Sequence, residues 1–418
     1  MDKIIVKGGK KLEGEVQISG SKNAALPILF GTLLTDDEVT VENVPSLADV
    51  NTAVSFLNFI GKKTVKKGGI VQGYKSQNYR HIAPYDLVRK MRASVLIMGP
   101  LLAKLGKVDV SLPGGCAIGA RPIDLHLEGL EKLGAEIEVE NGFVKLNSKG
   151  RLKGGAIKFR FASVGATENI MLAAVLAEGR TTIDNAAKEP EIKDLAVFLN
   201  KMGAKVRGAG TKQIIIDGVE KLGGVKHSVI PDRIEAATYL IAAAITKGKI
   251  LLKNTEPKHL KSVIEKLKKS GMKIEEGADF ILAQWIGALK PQNIITSVYP
   301  GYPTDVQAQW CALMSLTKGK SKIKETVFEN RFMHIAELLR FGANLRIDGN
   351  TVYADGIESL SGAPVMVSDL RAGAALVLAA LAAKGKSVIS RIYHLDRGYE
   401  CLEKKLRKLG ADIKRVKS

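Results

Sequence analysis

The chain of 418 residues carries 63 Lys and Arg against 43 Asp and Glu, a formal net charge of +20, and 45% of its residues are hydrophobic. That loading excludes an intrinsically disordered chain, and the length suits two or three domains that each bury a core. The longest uncharged apolar run, Ala372 to Ala383, falls far short of the roughly 20 residues a membrane span needs, and the three scattered cysteines make neither a disulfide framework nor a zinc pattern.

At the start, Lys3, Lys7, Lys10, Lys11, Glu13 and Glu15 surround a brief Ile4-Ile5-Val6 run, too polar for a secretory signal, so the cytoplasm is the expected compartment. One unit then recurs six times along the chain. It consists of an apolar helix, a short strand led by Gly or Lys, a loop, an amphipathic helix closed by a glycine, and an outgoing strand. The strand starts are plainest at Lys247-Gly248-Lys249, Lys318-Gly319-Lys320 and Lys384-Gly385-Lys386. The closing glycines are Gly61, Gly134, Gly203, Gly271, Gly342 and Gly410, spaced by 73, 69, 68, 71 and 68 residues. Asn141-Gly142 and Asp348-Gly349 mark tight turns between outgoing strands.

Stretches such as Thr167 to Leu176, Ile234 to Thr246 and Ala372 to Ala383 are apolar or small nearly all round, whereas Lys258 to Lys269 and Glu400 to Leu409 are amphipathic. The former belong inside and the latter outside. The expected fold class is therefore α/β, with two similar domains. Each is an inside-out α/β barrel of three units closed around their own helices, with residues 22–230 forming the first domain and 1–21 plus 231–418 the second.

Several helix entries are small or polar: Ser19 to Asn23, Ser163 to Thr167, Pro231 to Arg233, Pro303 to Asp305 and Ser368 to Arg371. Simple N-capping accounts for any one of them. Together with Lys22 and Arg371 they also make a candidate anion site, because unpaired N–H groups and the helix dipole favour phosphate or carboxylate. A cleft between two such domains suits a ligand with several acidic groups.

The second unit takes 28 residues from its leading to its closing glycine, against 23 to 25 in the four units that follow. The surplus lies in Pro113 to Pro122, a glycine-rich insertion that presents Cys116 near Arg121, and a neighbouring cation favours the reactive thiolate. Cys311, in an apolar helix, and Cys401, on a helix face, read as structural. The six histidines show neither metal-ligand spacing nor a Ser/His/Asp pattern, and no phosphate-binding glycine motif enters a helix. Kinase and dehydrogenase chemistry are excluded on that basis. The basic excess is compatible with a solvated surface, polyanionic substrates or nucleic acid, but aromatics are only 5% and no basic stretch interleaves them.

The stretches Ser19 to Pro27, Leu112 to Glu128 around Cys116, Ser163 to Asn169, Pro231 to Glu235, Pro303 to Asp305, Glu329 to Phe332 and Ser368 to Arg371 occur in order from one end of the chain to the other. They closely resemble the UDP-N-acetylglucosamine 1-carboxyvinyltransferase family of enolpyruvyl transferases. The Cys loop and the Ser163-Val164-Gly165-Ala166-Thr167 entry separate it from the related transferases that act on shikimate 3-phosphate.

The resemblance implies transfer of the enolpyruvyl group of phosphoenolpyruvate, a co-substrate, to the 3-hydroxyl of UDP-N-acetylglucosamine. It implies no metal, no redox cofactor, no membrane, no nucleic acid and no obligate protein partner. By the same resemblance Cys116 is the general acid and Asp305 the base. Lys22, Arg121 and Arg397 hold phosphate, Arg331 and Arg371 hold carboxylate, and Asp369 assists proton transfer or holds a neighbouring cation. The nucleotide sugar is expected to meet Asn23, Arg92, Arg121, Pro122, Ile123, Asp124, Leu125, Ser163, Val164, Gly165, Asp305 and Val327. One departure is visible: Phe161-Ala162 precedes Ser163 where some relatives carry Lys-Val, which removes a lysine contact to the nucleotide.

Overall fold

The computed structural model describes residues 2–89, 91–112 and 123–417. Each repeat becomes one four-stranded sheet, and all six sheets share a strand order. In the second repeat, Ile82–Ala83 runs parallel to Lys107–Ser111, which pairs antiparallel with Phe143–Asn147, which in turn pairs antiparallel with Glu136–Glu140. A parallel pair needs a crossover, and the buried helix supplies it. The antiparallel pair needs only two residues, Asn141 and Gly142, whose φ values of 52° and 77° give the primed turn that matches strand twist. The six glycines that close the outer helices all adopt left-handed backbone, with φ between 85° and 117°.

Three sheets are completed by distant segments. Val225–Ser228 pairs parallel with Val39–Glu42, finishing the first sheet. Glu13–Gln17 pairs parallel with Lys249–Lys253, finishing the fourth. Lys3–Lys7 inserts between Lys386–Ser390 and Asp412–Val416, antiparallel to both, in the sixth. The described residues from Gly20 to Ile230 accordingly form one compact unit, and those up to Ser19 together with Pro231 onward form the other.

Each unit has its own core. The first is built round helices α1 (Lys22–Gly31), α2 (Met98–Leu105) and α3 (Val164–Ala174), and the second round α4 (Arg233–Ile245), α5 (Gln307–Met314) and α6 (Leu370–Ala382). Every residue of α4 from Ile234 to Ile245 and all eight of α5 are buried, as an all-round apolar helix must be. The outer helix Lys261–Ser270 buries only Val263, Ile264, Leu267 and Ser270. Small residues let the inner helices approach closely: a Cβ on Gly99 of α2 would lie 2.3 Å from the Asn169 carbonyl oxygen of α3.

Cys311 lies buried within α5, where burial pushes its thiol pKa up, in keeping with a structural role. Cys401 is exposed and has left-handed backbone just before the helix Leu402–Lys408, so it sits ahead of that helix and not on its face. Among the described residues no helix is long and apolar enough to cross a membrane.

Candidate active site

In the unit containing α4 to α6, the chain after Pro303 makes a 3-10 turn, Thr304–Val306, that leads into α5. The turn presents Asp305, 26% exposed at its side chain, to two buried arginines. Its Oδ1 accepts from Arg331 Nη2 at 2.6 Å and its Oδ2 from Arg371 Nη2 at 3.2 Å. Burial alone would raise the Asp305 pKa, but the Arg371 and Arg331 charges outweigh it and hold the carboxyl well below the usual range. The Arg371 guanidinium also lies 5.4 Å from the Tyr399 ring centre, and its Nε and Nη1 are buried without a hydrogen-bond partner in the described structure.

The Arg331 guanidinium is braced from behind. Its Nη1 donates to Thr304 Oγ1 at 2.8 Å, and that hydroxyl donates to Glu325 Oε2 at 2.7 Å. Glu325 also accepts the Val327 amide, so Val327 is tied through its backbone while its side chain is partly exposed. Asp369 caps α6, its Oδ1 accepting from the Arg371 and Ala372 amides at 2.9 and 3.0 Å. This cap ties Asp369 to the backbone of Arg371. Arg397 ends a partly exposed 3-10 turn, Leu395–Arg397. Burial first, then the Arg397 charge, lowers the pKa of nearby His394, with Asp369 opposing.

In the unit containing α1 to α3, Lys22 opens α1 and is buried, with Nζ 2.7 Å from Asp49 Oδ2 in the first turn of the helix Ala48–Ile60. Ser21 caps α1 and Ser163 caps α3, each through its hydroxyl. Asn23, Arg92, Ser163, Val164 and Gly165 are all partly exposed.

Ile123 and Asp124 enter the helix Asp124–Lys132, on which Leu125 and His126 are buried. The Asn169 amide is oriented by the Gly99 N–H, donating to its Oδ1 at 2.7 Å, and by its own donation to the Val95 carbonyl. Asn169 Nδ2 therefore donates to His126 Nδ1 at 3.0 Å, which leaves the ring hydrogen on Nε2. Burial, then the Arg92 charge, lowers the His126 pKa to about 3, so the ring is neutral. Asp124 pairs with Arg160, which also reaches Glu128 at 3.3 Å and lies over Phe161, so a cation stands one residue before the missing lysine.

Cys116, Arg121 and Pro122 lie outside the described residues. Asp305, Arg331 and Arg371 come together in one cluster, while Lys22 has Asp49 as its partner. Sequence reasoning missed Asp49, Thr304, His126, Glu325 and Tyr399. Thr304, in the Pro303-Thr304-Asp305 stretch, and His126, in the Leu112 to Glu128 stretch, carried a local signal, whereas Asp49, Glu325 and Tyr399 lie outside the motif stretches. Among the described residues no three His, Cys, Asp or Glu side chains converge as a metal ion would need.

The repeated sheet and the arginine-held carboxylate define the class of enolpyruvyl transferases: the family model described as EPSP synthase (3-phosphoshikimate 1-carboxyvinyltransferase) matches residues 6–406. The UDP-N-acetylglucosamine 1-carboxyvinyltransferase of Endomicrobium trichonymphae is 67% identical over 414 residues, covering 99% of both chains. That of Cronobacter sakazakii is 54% identical over 418 residues, the whole of both. Among solved structures, the enolpyruvyl transferase NikO from Streptomyces tendae superposes with a TM-score of 0.90 at 25% identity, over 100% of this chain and 99% of that one. EPSP synthase from Acinetobacter baumannii, at 18% identity and a TM-score of 0.78 over all of both chains, shares the fold. The chain belongs to the EPSP synthase family, and within it to the UDP-N-acetylglucosamine 1-carboxyvinyltransferases.

Proposed function

We propose that the protein transfers the enolpyruvyl group of phosphoenolpyruvate to the 3-hydroxyl of UDP-N-acetylglucosamine and releases phosphate, the committed step of peptidoglycan precursor synthesis. The observation that carries the chemistry is the Asp305 carboxylate held between two buried guanidinia. Addition requires a proton delivered to the methylene carbon while the sugar oxygen bonds to the central carbon. Elimination then returns a proton from the methyl group and expels phosphate. In this reading Cys116 supplies the proton to carbon and Asp305 takes the one from the hydroxyl.

The planar forks of Arg331 and Arg371 suit the substrate carboxylate. Lys22, Arg121 and Arg397 hold the leaving phosphate, and Asp369 keeps the Arg371 backbone in place. Asn23, Arg92, the segment from Arg121 through Pro122, Ile123 and Asp124 to Leu125, the α3 entry at Ser163, Val164 and Gly165, and Val327 receive the nucleotide sugar. The reaction is placed in the cytoplasm, and this chemistry calls for no metal or redox cofactor.

The decisive measurement is phosphate release from phosphoenolpyruvate with UDP-N-acetylglucosamine and, side by side, with shikimate 3-phosphate. Turnover with the former alone is expected, and turnover only with the latter would reverse the assignment. Cys116→Ala is expected to lose at least a hundredfold in that assay, within the usual range for removing a positioned proton donor. Fosfomycin is expected to inactivate the wild type by alkylating the same thiol.

A further inference from the structure

Glu325 follows directly on the strand Gly319–Lys324 and is 2% exposed. A carboxylate so deeply buried is costly unless donors surround it. Here four do. Oε1 accepts from Thr296 Oγ1 at 2.8 Å and from the backbone N–H groups of Val327 and Phe328 at 2.7 and 3.2 Å. Oε2 accepts from Thr304 Oγ1 at 2.7 Å. A threonine hydroxyl has one proton, so Thr304, having given it to Glu325, can only accept from Arg331 Nη1. The other fork of that guanidinium donates to Asp305. The direction of every bond from Glu325 to Asp305 is thereby set by one buried charge. An amide in its place would turn two N–H donors towards donors.

The same carboxylate occupies the Val327 N–H, which leaves the Val327 carbonyl as the backbone group able to meet a ligand, and it can meet only a donor. We infer that Glu325 is a positioning residue for the transfer, orienting Asp305 through Thr304 and Arg331 and presenting the Val327 carbonyl to an N–H or O–H of the acceptor. This rests on the reaction proposed above, in which Asp305 and Val327 face the acceptor.

The test uses the full-length enzyme and the variants Thr304→Val, Thr304→Ser, Glu325→Gln and the double variant Glu325→Gln with Thr304→Val. Thr304→Ser keeps the hydroxyl and is expected to turn over within twofold of wild type. Thr304→Val is expected to lose about tenfold in kcat, in line with small displacements of a catalytic group. The double variant is expected to be no slower than Glu325→Gln, because both changes cut one chain.

The pH profile separates positioning from mere stability. Asp305 is faced by Arg331, by Arg371 from α6 and by the charge of Arg233 from α4, with Glu325 behind Thr304. Loosening Arg331 weakens one of the charges that favour the carboxylate, so the acid limb of kcat is expected to move to higher pH in Thr304→Val and stay put in Thr304→Ser. Wild-type turnover with Thr304→Val matching Thr304→Ser, or with an unmoved acid limb, would overturn the inference alone. A wild type that fails to turn over would overturn the proposed reaction and this inference together.

Discussion

Two carboxyls with opposite shifts show how environment sets a residue's job. Asp305 is held ionised by two arginines, so its contribution to stability is complete above the usual carboxylate range and is lost as acid approaches its lowered native pKa. Asp305→Ala leaves those guanidinia without their counter-charge and is expected to cost about 3 kcal/mol at neutral pH, read from urea unfolding. Glu168, buried in α3, is pushed the other way, by burial first and then by Glu191 and Glu189. Its pKa is raised well above the unfolded value of about 4.5, so the fold loses stability as pH rises past that value. Glu168→Gln removes this slope. The variant is expected to match wild type near pH 4 and to exceed it at pH 8, and a wild type that is equally stable at both would refute the buried neutral carboxyl.

At the scale of elements, the closing glycines and the all-round apolar helices were legible because both are local. A left-handed residue ends a helix whatever surrounds it, and an uncharged helix has nowhere to go but inside. The caps at Ser21, Ser163, Asp232 and Asp369 were legible for the same reason, and all four side chains do accept backbone N–H groups. Asp232→Ala is expected to cost about 1 kcal/mol. The approach of α2 to α3 was not legible, since nothing near Gly99 in sequence announces Asn169. Gly99→Ala is expected to destabilise the protein by about 1–3 kcal/mol, because the new methyl meets the Asn169 carbonyl oxygen and the Oδ1 of the same residue, whose Nδ2 donates to His126. Unfolding midpoints of these variants test both figures.

Across the whole molecule, the described residues from Gly20 to Ile230 form a unit with its own core, and its first sheet is completed by its own Val225–Ser228. A fragment of those residues is expected to unfold cooperatively in urea, whereas one ending before Val225 loses a sheet strand and is expected to melt earlier. The other unit cannot be cut out in this way, because Lys3–Lys7 and Glu13–Gln17 are strands of its sheets. The +20 charge divides similarly on inspection: Lys22, Arg331 and Arg371 are buried against carboxylates or rings, while most lysines are solvated.

The sequence by itself determined the repeat, the class of each helix and the motif set that names the family, because period, apolarity and capping are properties of neighbouring residues. Only the tertiary structure decided that the N-terminal strands complete sheets more than 230 residues away, that Asp49 partners Lys22, and that Glu325 stands behind Arg331 and Asp305. Strand partners and buried ion pairs are chosen by which groups can satisfy one another once water is excluded, and sequence distance carries no record of that choice.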